Sequence, residues 1–147
     1  MMHWFHRLSA ALVLGLVATF WLSTLVAEIF LSSASVVQVK QLIVQGIFIL
    51  VPCMIFAGVS GRQLARQRSG PLITTKQRRM PILALNGLLI LLPCAFYLEH
   101  KAVAGQWDWS FYGVQGLEFV AGGLQLVLLM GNAKAGRRLR AMPALAH

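Results

Sequence analysis

The chain has 147 residues, of which 58% are hydrophobic and 12% charged, and its formal net charge is +9. A soluble domain carries about 25% charged residues, so half that fraction excludes a soluble globular domain and a disordered chain alike. The mean hydropathy of +0.71 points the same way. The positive charge is grouped between long apolar blocks instead of being dispersed through polar sequence, which removes a nucleic-acid footprint as its first explanation.

Four apolar stretches follow in chain order: Leu8–Leu31, Leu42–Ser60, Met80–Leu98 and Ser110–Met130. Each is close to the roughly 20 residues that cross ~30 Å of hydrocarbon at 1.5 Å per residue. Backbone groups in lipid must be satisfied within their own segment, and nothing alternates as a barrel strand would. The expected fold is therefore an all-α integral membrane protein, a single domain over residues 1–147 with four transmembrane helices in an antiparallel bundle. A cleavable signal peptide is the alternative for the first block, with Ser33-Ala34-Ser35 as its cleavage site. The apolar run outlasts the roughly 7–15 residues of a signal-peptide core, so an uncleaved anchor is expected.

Charge sets the expected threading. Arg7 precedes the first block; Arg62, Arg66, Arg68, Lys76, Arg78 and Arg79 fill the connection over 61–79; Lys134, Arg137, Arg138 and Arg140 follow the fourth block, in a basic tail over 132–147. Only Lys40 and Lys101 lie toward the opposite side, together with all four acids, Glu28, Glu99, Asp108 and Glu118. By the positive-inside rule both termini are expected in the cytoplasm, in a membrane of the bacterial inner type. Tyr97, Trp107, Trp109, Phe111 and Tyr112 then form an outer aromatic belt, with Trp4 and Phe5 at the inner interface. The cations of the 61–79 connection suit anionic lipid headgroups; no nucleic-acid partner is expected. That connection is expected to turn at Ser69-Gly70-Pro71 and to restart as helix near Thr74 or Thr75.

The first span carries Ala11, Gly15, Thr19, Ser23 and Ala27, a small residue at every fourth position. Such a ridge lets backbones approach closely in lipid, either within the bundle or against a partner. The second and third spans share an echo, Gly46–Cys53 and Gly87–Cys94, each ending in Pro-Cys. Pro52 and Pro93 each remove a backbone hydrogen bond and should kink their helices. Cys53 and Cys94 read as small buried apolar residues.

Polar groups at membrane depth are the functional candidates. Counted from Ser110, Glu118 lies about 12 Å below the outer interface. With Gln115, Gly122 and Gln125 it forms a polar stripe that must avoid lipid. Glu28, Gln45, Glu99 and His100 are expected in the same outer layer, and Asn86 is expected to pair with Gln125 further in. Carboxylate plus imidazole would suit a cation or proton, a metal held by Glu118, His100 and Glu28, or a quinone head group. Haem is a weaker expectation: His3 and His6 lie at one end and His100 at the other, so they cannot share one iron, and His147 is in the tail, which leaves single-His ligation by His6 or His100. Phosphate-binding glycine loops, nucleophile elbows and zinc-protease motifs are missing, so no catalytic residue is assigned. Three functions fit these residues. The first is a non-enzymatic subunit of a larger membrane complex or a homo-oligomer, packing through the first-span ridge and the fourth-span stripe. The second is a cation, proton or metal carrier using Glu118, Glu28 and His100, and the third a haem- or quinone-binding redox subunit.

Overall fold

Every apolar block forms a helix longer than the block itself. In the computed structural model, which describes the backbone of residues 2–66 and 71–141, α1 spans Met2–Phe30 and α2 spans Ser33–Arg66. α3 (Pro71–Leu85), a π-helical turn (Asn86–Leu91) and α4 (Leu92–Val103) run on as one rod, and α5 spans Trp109–Ala141. The four rods pack as an antiparallel bundle, and each is long and apolar enough to cross a membrane. Large apolar side chains cover the outside: Phe30, Phe48, Phe56 and Val120 are between 69% and 76% exposed. An exterior of this kind is stable against hydrocarbon, not against water.

The helix boundaries differ from the hydropathy blocks for local reasons. α2 starts at Ser33 instead of near Leu42, because Ser32 caps it. The Ser32 carbonyl accepts the Val36 N–H at 3.1 Å, and the Ser32 and Ser35 hydroxyls meet at 3.3 Å. Only Leu31 and Ser32 separate α1 from α2. α3 starts at Pro71, ahead of the expected Thr74 or Thr75. A proline is tolerated at the first helical position because the N–H it lacks has no helical partner there. α5 continues well past Met130, so most of the basic tail is helix. The turn expected at Ser69-Gly70, the side chains of Arg66, Arg68, Lys76 and Arg140, and the last residue, His147, lie outside the described residues.

The two Pro-Cys echoes fold differently. Pro52 sits within the uninterrupted α2. Pro93 instead follows the π turn, in which the Leu92 N–H reaches back to the Gly87 carbonyl. A proline ring collides with the carbonyl four residues before it, and a widened turn relieves that collision. Cys53 and Cys94 are both free thiols.

The packed core is concentrated at the acidic end. Ala27, Val36, Leu98, Ala102 and Phe111 form one cluster, and Ile43, Ile47 and Ala95 continue it inward. The α4–α5 connection closes this end with two caps. α4 finishes in a Schellman motif, Gln106 N–H to Lys101 O at 2.9 Å and Gly105 N–H to Ala102 O at 3.1 Å, with Gly105 at φ 67°. α5 begins with Asp108 as its N-cap, whose Oδ1 accepts the Phe111 N–H at 3.0 Å and the Ser110 hydroxyl at 2.6 Å. Lys101 donates to the other oxygen of Asp108. This ammonium, with the Ser110 and Phe111 donors, holds the Asp108 carboxyl well below the usual carboxylate range.

Candidate functional site

An apolar periodicity in α2 carries a charge into the bundle. Val36, Lys40, Ile43 and Ile47 recur at helical spacing, and all four are buried. Lys40 is thus a stripe residue, 1% exposed, where the sequence reading left it as an outer-side loop charge. Seven residues from the start of α2 place it about 10 Å in, and nine residues from the start of α5 place Glu118 about 13 Å in. At matching depth on facing rods they meet, Lys40 Nζ to Glu118 Oε2 at 2.7 Å. The Gln115 amide donates to the same oxygen at 2.9 Å.

Glu28, in the last turn of α1, lies within electrostatic reach of both Lys40 and Glu118. Of the two carboxylates, Glu118 pairs directly with the Lys40 ammonium, and Glu28 stands beyond ion-pair distance. Two buried acceptors beside them, Glu28 Oε1 and Gln115 Oε1, have no hydrogen-bond partner among the described residues. A cluster short of donors in this way can take up a proton or a hydrogen-bond donor.

The other members of the expected outer layer are not brought in. Gln45 and His100 are exposed, and Glu99 is half-buried with no partner among the described residues. The cause is helix phase: with α2 turned so that Lys40, Ile43 and Ile47 face inward, Gln45 faces outward. Glu118 bonds Gln115 on its own helix and Lys40 across the bundle, not Gln45. Among the described residues no three of His, Cys, Asp and Glu come together as a metal site, and His100 stands apart from Glu118 and Glu28.

The α5 stripe faces the interior of the bundle. Gln115, Gly122 and Gln125 are buried and Glu118 is 13% exposed on its side chain. Gln125 pairs with Asn86 as expected from their depths: Asn86 Nδ2 donates to Gln125 Oε1 at 2.8 Å and to the Ala121 carbonyl at 2.9 Å. Gln125 Nε2 in turn reaches the Leu83 carbonyl at 3.3 Å.

The α1 ridge divides. Ala27 is buried and Ser23 half-buried, whereas Ala11, Gly15 and Thr19 are exposed. The Thr19 hydroxyl turns back onto the Gly15 carbonyl at 2.8 Å. Close approach within the bundle instead uses glycines of the other rods. The Phe20 ring lies on Gly46, and the Trp21 indole lies on Gly122 with its N–H donating to the Phe119 carbonyl at 3.1 Å.

Between α1, α2, the rod from α3 through the π turn to α4, and α5 lies a cavity of about 1050 Å³. It reaches from Glu118, past Trp21 and Gln125, to Arg62, Gln63 and Met80 at the basic end. Its walls are mostly aliphatic and aromatic, with Glu118, Gln125 and Arg62 as spaced polar points. It exists because the core packs tightly only at the acidic end, and because α2 and α3 scarcely touch at the basic end. Sequence reasoning had no signal for this space, since side-chain volume along one helix does not report the distance to the next.

The site is therefore a buried ion-pair cluster at the head of a long apolar cavity inside a four-helix bundle. The chain matches no known family, no curated protein and no solved structure.

Proposed function

We propose that this protein is a non-enzymatic membrane protein that holds an apolar molecule, of the size of a quinone or a lipid, inside its four-helix bundle. We place it in a membrane of the bacterial inner type with both termini cytoplasmic, from the grouping of its cations at one end. The cavity of about 1050 Å³ carries the reading. Ligand pockets of about 300–1,000 Å³ enclose drug-sized molecules, so this one has room for a complete small lipophile. Its composition also fits: apolar walls give affinity, and a few fixed polar groups orient the occupant.

The experiment is organic extraction of the chain purified in mild detergent, followed by mass spectrometry and an absorption spectrum. The expected result is a lipophilic molecule at about one copy per chain. A preparation that is folded and free of any such molecule overturns the reading, and a Soret band would assign the occupant as haem. The cation-carrier alternative has less support, because the Glu118 carboxylate already accepts from Lys40 and Gln115 and His100 stands elsewhere.

A second reading, as an accessory subunit or homo-oligomer, rests on a separate observation. The outward face of α1 at Ala11, Gly15 and Thr19 is smooth, and a side chain added at Gly15 would meet nothing within 4 Å. That face suits another transmembrane helix. Holding a lipophile and docking on a partner are compatible roles on opposite faces of the same helix.

A further inference from the structure

The two ends of the cavity are chemically opposite. At the Glu118 end the carboxylate is already neutralised by Lys40 at 2.7 Å, and the packed core closes the way out. At the other end Arg62 lines the opening and is exposed. It makes no hydrogen bond or ion pair among the described residues. All four acidic side chains, Glu28, Glu99, Asp108 and Glu118, lie toward the opposite end, so none of them is placed to neutralise it. An anion that reaches the opening can therefore pair with Arg62.

We infer that the cavity holds one anionic phospholipid of the cytoplasmic leaflet, its phosphate on Arg62 and an acyl chain running up the bundle beneath Glu118. This rests on the proposed function and names the occupant of that same cavity. The orientation follows from charge, since an anionic head avoids the carboxylate end and finds the guanidinium, whose planar donors match phosphate oxygens. The route follows from packing. Among the described residues α2 and α3 touch at few points, and Arg62 and Gln63 of α2 line the opening together with Met80 and Pro81 of α3. A chain can enter sideways there from the leaflet while its head stays at the interface. Basic pockets between transmembrane helices on the cytoplasmic side bind lipid head groups in this way.

The test reconstitutes the full chain in bilayers of equimolar phosphatidylglycerol and phosphatidylcholine. It then extracts the chain into mild detergent and counts retained lipid by native mass spectrometry. The wild-type chain is expected to retain one phospholipid, enriched in phosphatidylglycerol. Arg62→Gln should lower that enrichment about fivefold, the value of one interfacial cation. Gly58→Leu should abolish retention, because Gly58 lines the cavity and an added side chain there enters open space. Ala84→Leu fills the same cavity from α3 and serves if Gly58→Leu does not fold. Unchanged enrichment in Arg62→Gln overturns the inference, as does equal retention in the cavity-filled variants, which would mark the lipid as bound outside the bundle. Either result leaves the cavity reading standing, as does retention of a different lipophile. A folded wild-type chain that retains nothing overturns both.

Discussion

Lys40 of α2 and Glu118 of α5 form an ion pair of 2.7 Å across the bundle, with side chains 1% and 13% exposed. The pair bridges two rods that stand diagonally across the bundle, whose backbones make no close approach among the described residues. A charge at membrane depth costs several kcal/mol unless it is partnered, so each residue makes the other tolerable.

Removing one partner is therefore expected to be worse than removing both. Lys40→Met or Glu118→Gln alone should destabilise the bundle by about 3–5 kcal/mol, because each strands a buried charge. The double variant should recover a large part of that loss. Reversible unfolding in mixed micelles measures the cycle, and additive losses would show that the pair is not coupled.

The inner polar layer should behave more mildly. Asn86→Leu removes the donor to Gln125 and to the Ala121 carbonyl. An interhelical hydrogen bond of this kind contributes about 1 kcal/mol in a membrane. The same unfolding assay should find a loss of that order, smaller than that of either ion-pair variant.

Asp108 gives the acidic end a pH dependence. Its carboxyl is held below the usual range by Lys101, by the Ser110 hydroxyl and by the Phe111 N–H. A lowered folded-state pKa contributes stability that is fully present above the unfolded value near 3.9 and is lost as pH falls through the folded value. Thermal midpoints should be flat in this respect from neutral pH to about pH 5 and decline at more acidic pH. Asp108→Asn should remove that part of the decline, and an unchanged acid limb would mean that Asp108 does not contribute to it.

Gly105 should resist substitution. Its φ of 67° is the left-handed conformation that completes the Schellman motif. Gly105→Ala should cost about 1 kcal/mol, and a β-branched residue more. Gly15→Leu is the contrasting case: open space surrounds that position, so the isolated chain should melt unchanged. If the α1 face carries a partner, co-purification in mild detergent should fall in Gly15→Leu.

Much of this protein was legible in its residues. Four spans, their antiparallel arrangement and the Asn86–Gln125 contact follow from hydropathy, helix length and depth, which are properties of one segment at a time. Hydropathy counting also hid something that periodicity could have revealed. Lys40 lies on the stripe of Val36, Ile43 and Ile47, and Ser32 is a capping residue ahead of it, but a lysine lowers the local hydropathy enough to end the apparent block.

What only the tertiary structure decided is everything that depends on helix phase and separation. The sequence alone determined that Glu118 had to find a partner away from lipid, because a carboxylate in hydrocarbon is too costly to leave bare. Which residue answers it depended on how α2 is rotated about its axis, and that rotation brings in Lys40 while turning Gln45 out. In the same way, the small residues of α1 announced a smooth face, but only the packing showed that Ala11, Gly15 and Thr19 point outward. The cavity is the clearest case. It is a volume left between rods that touch at one end and part at the other, and no single segment encodes a distance to its neighbour.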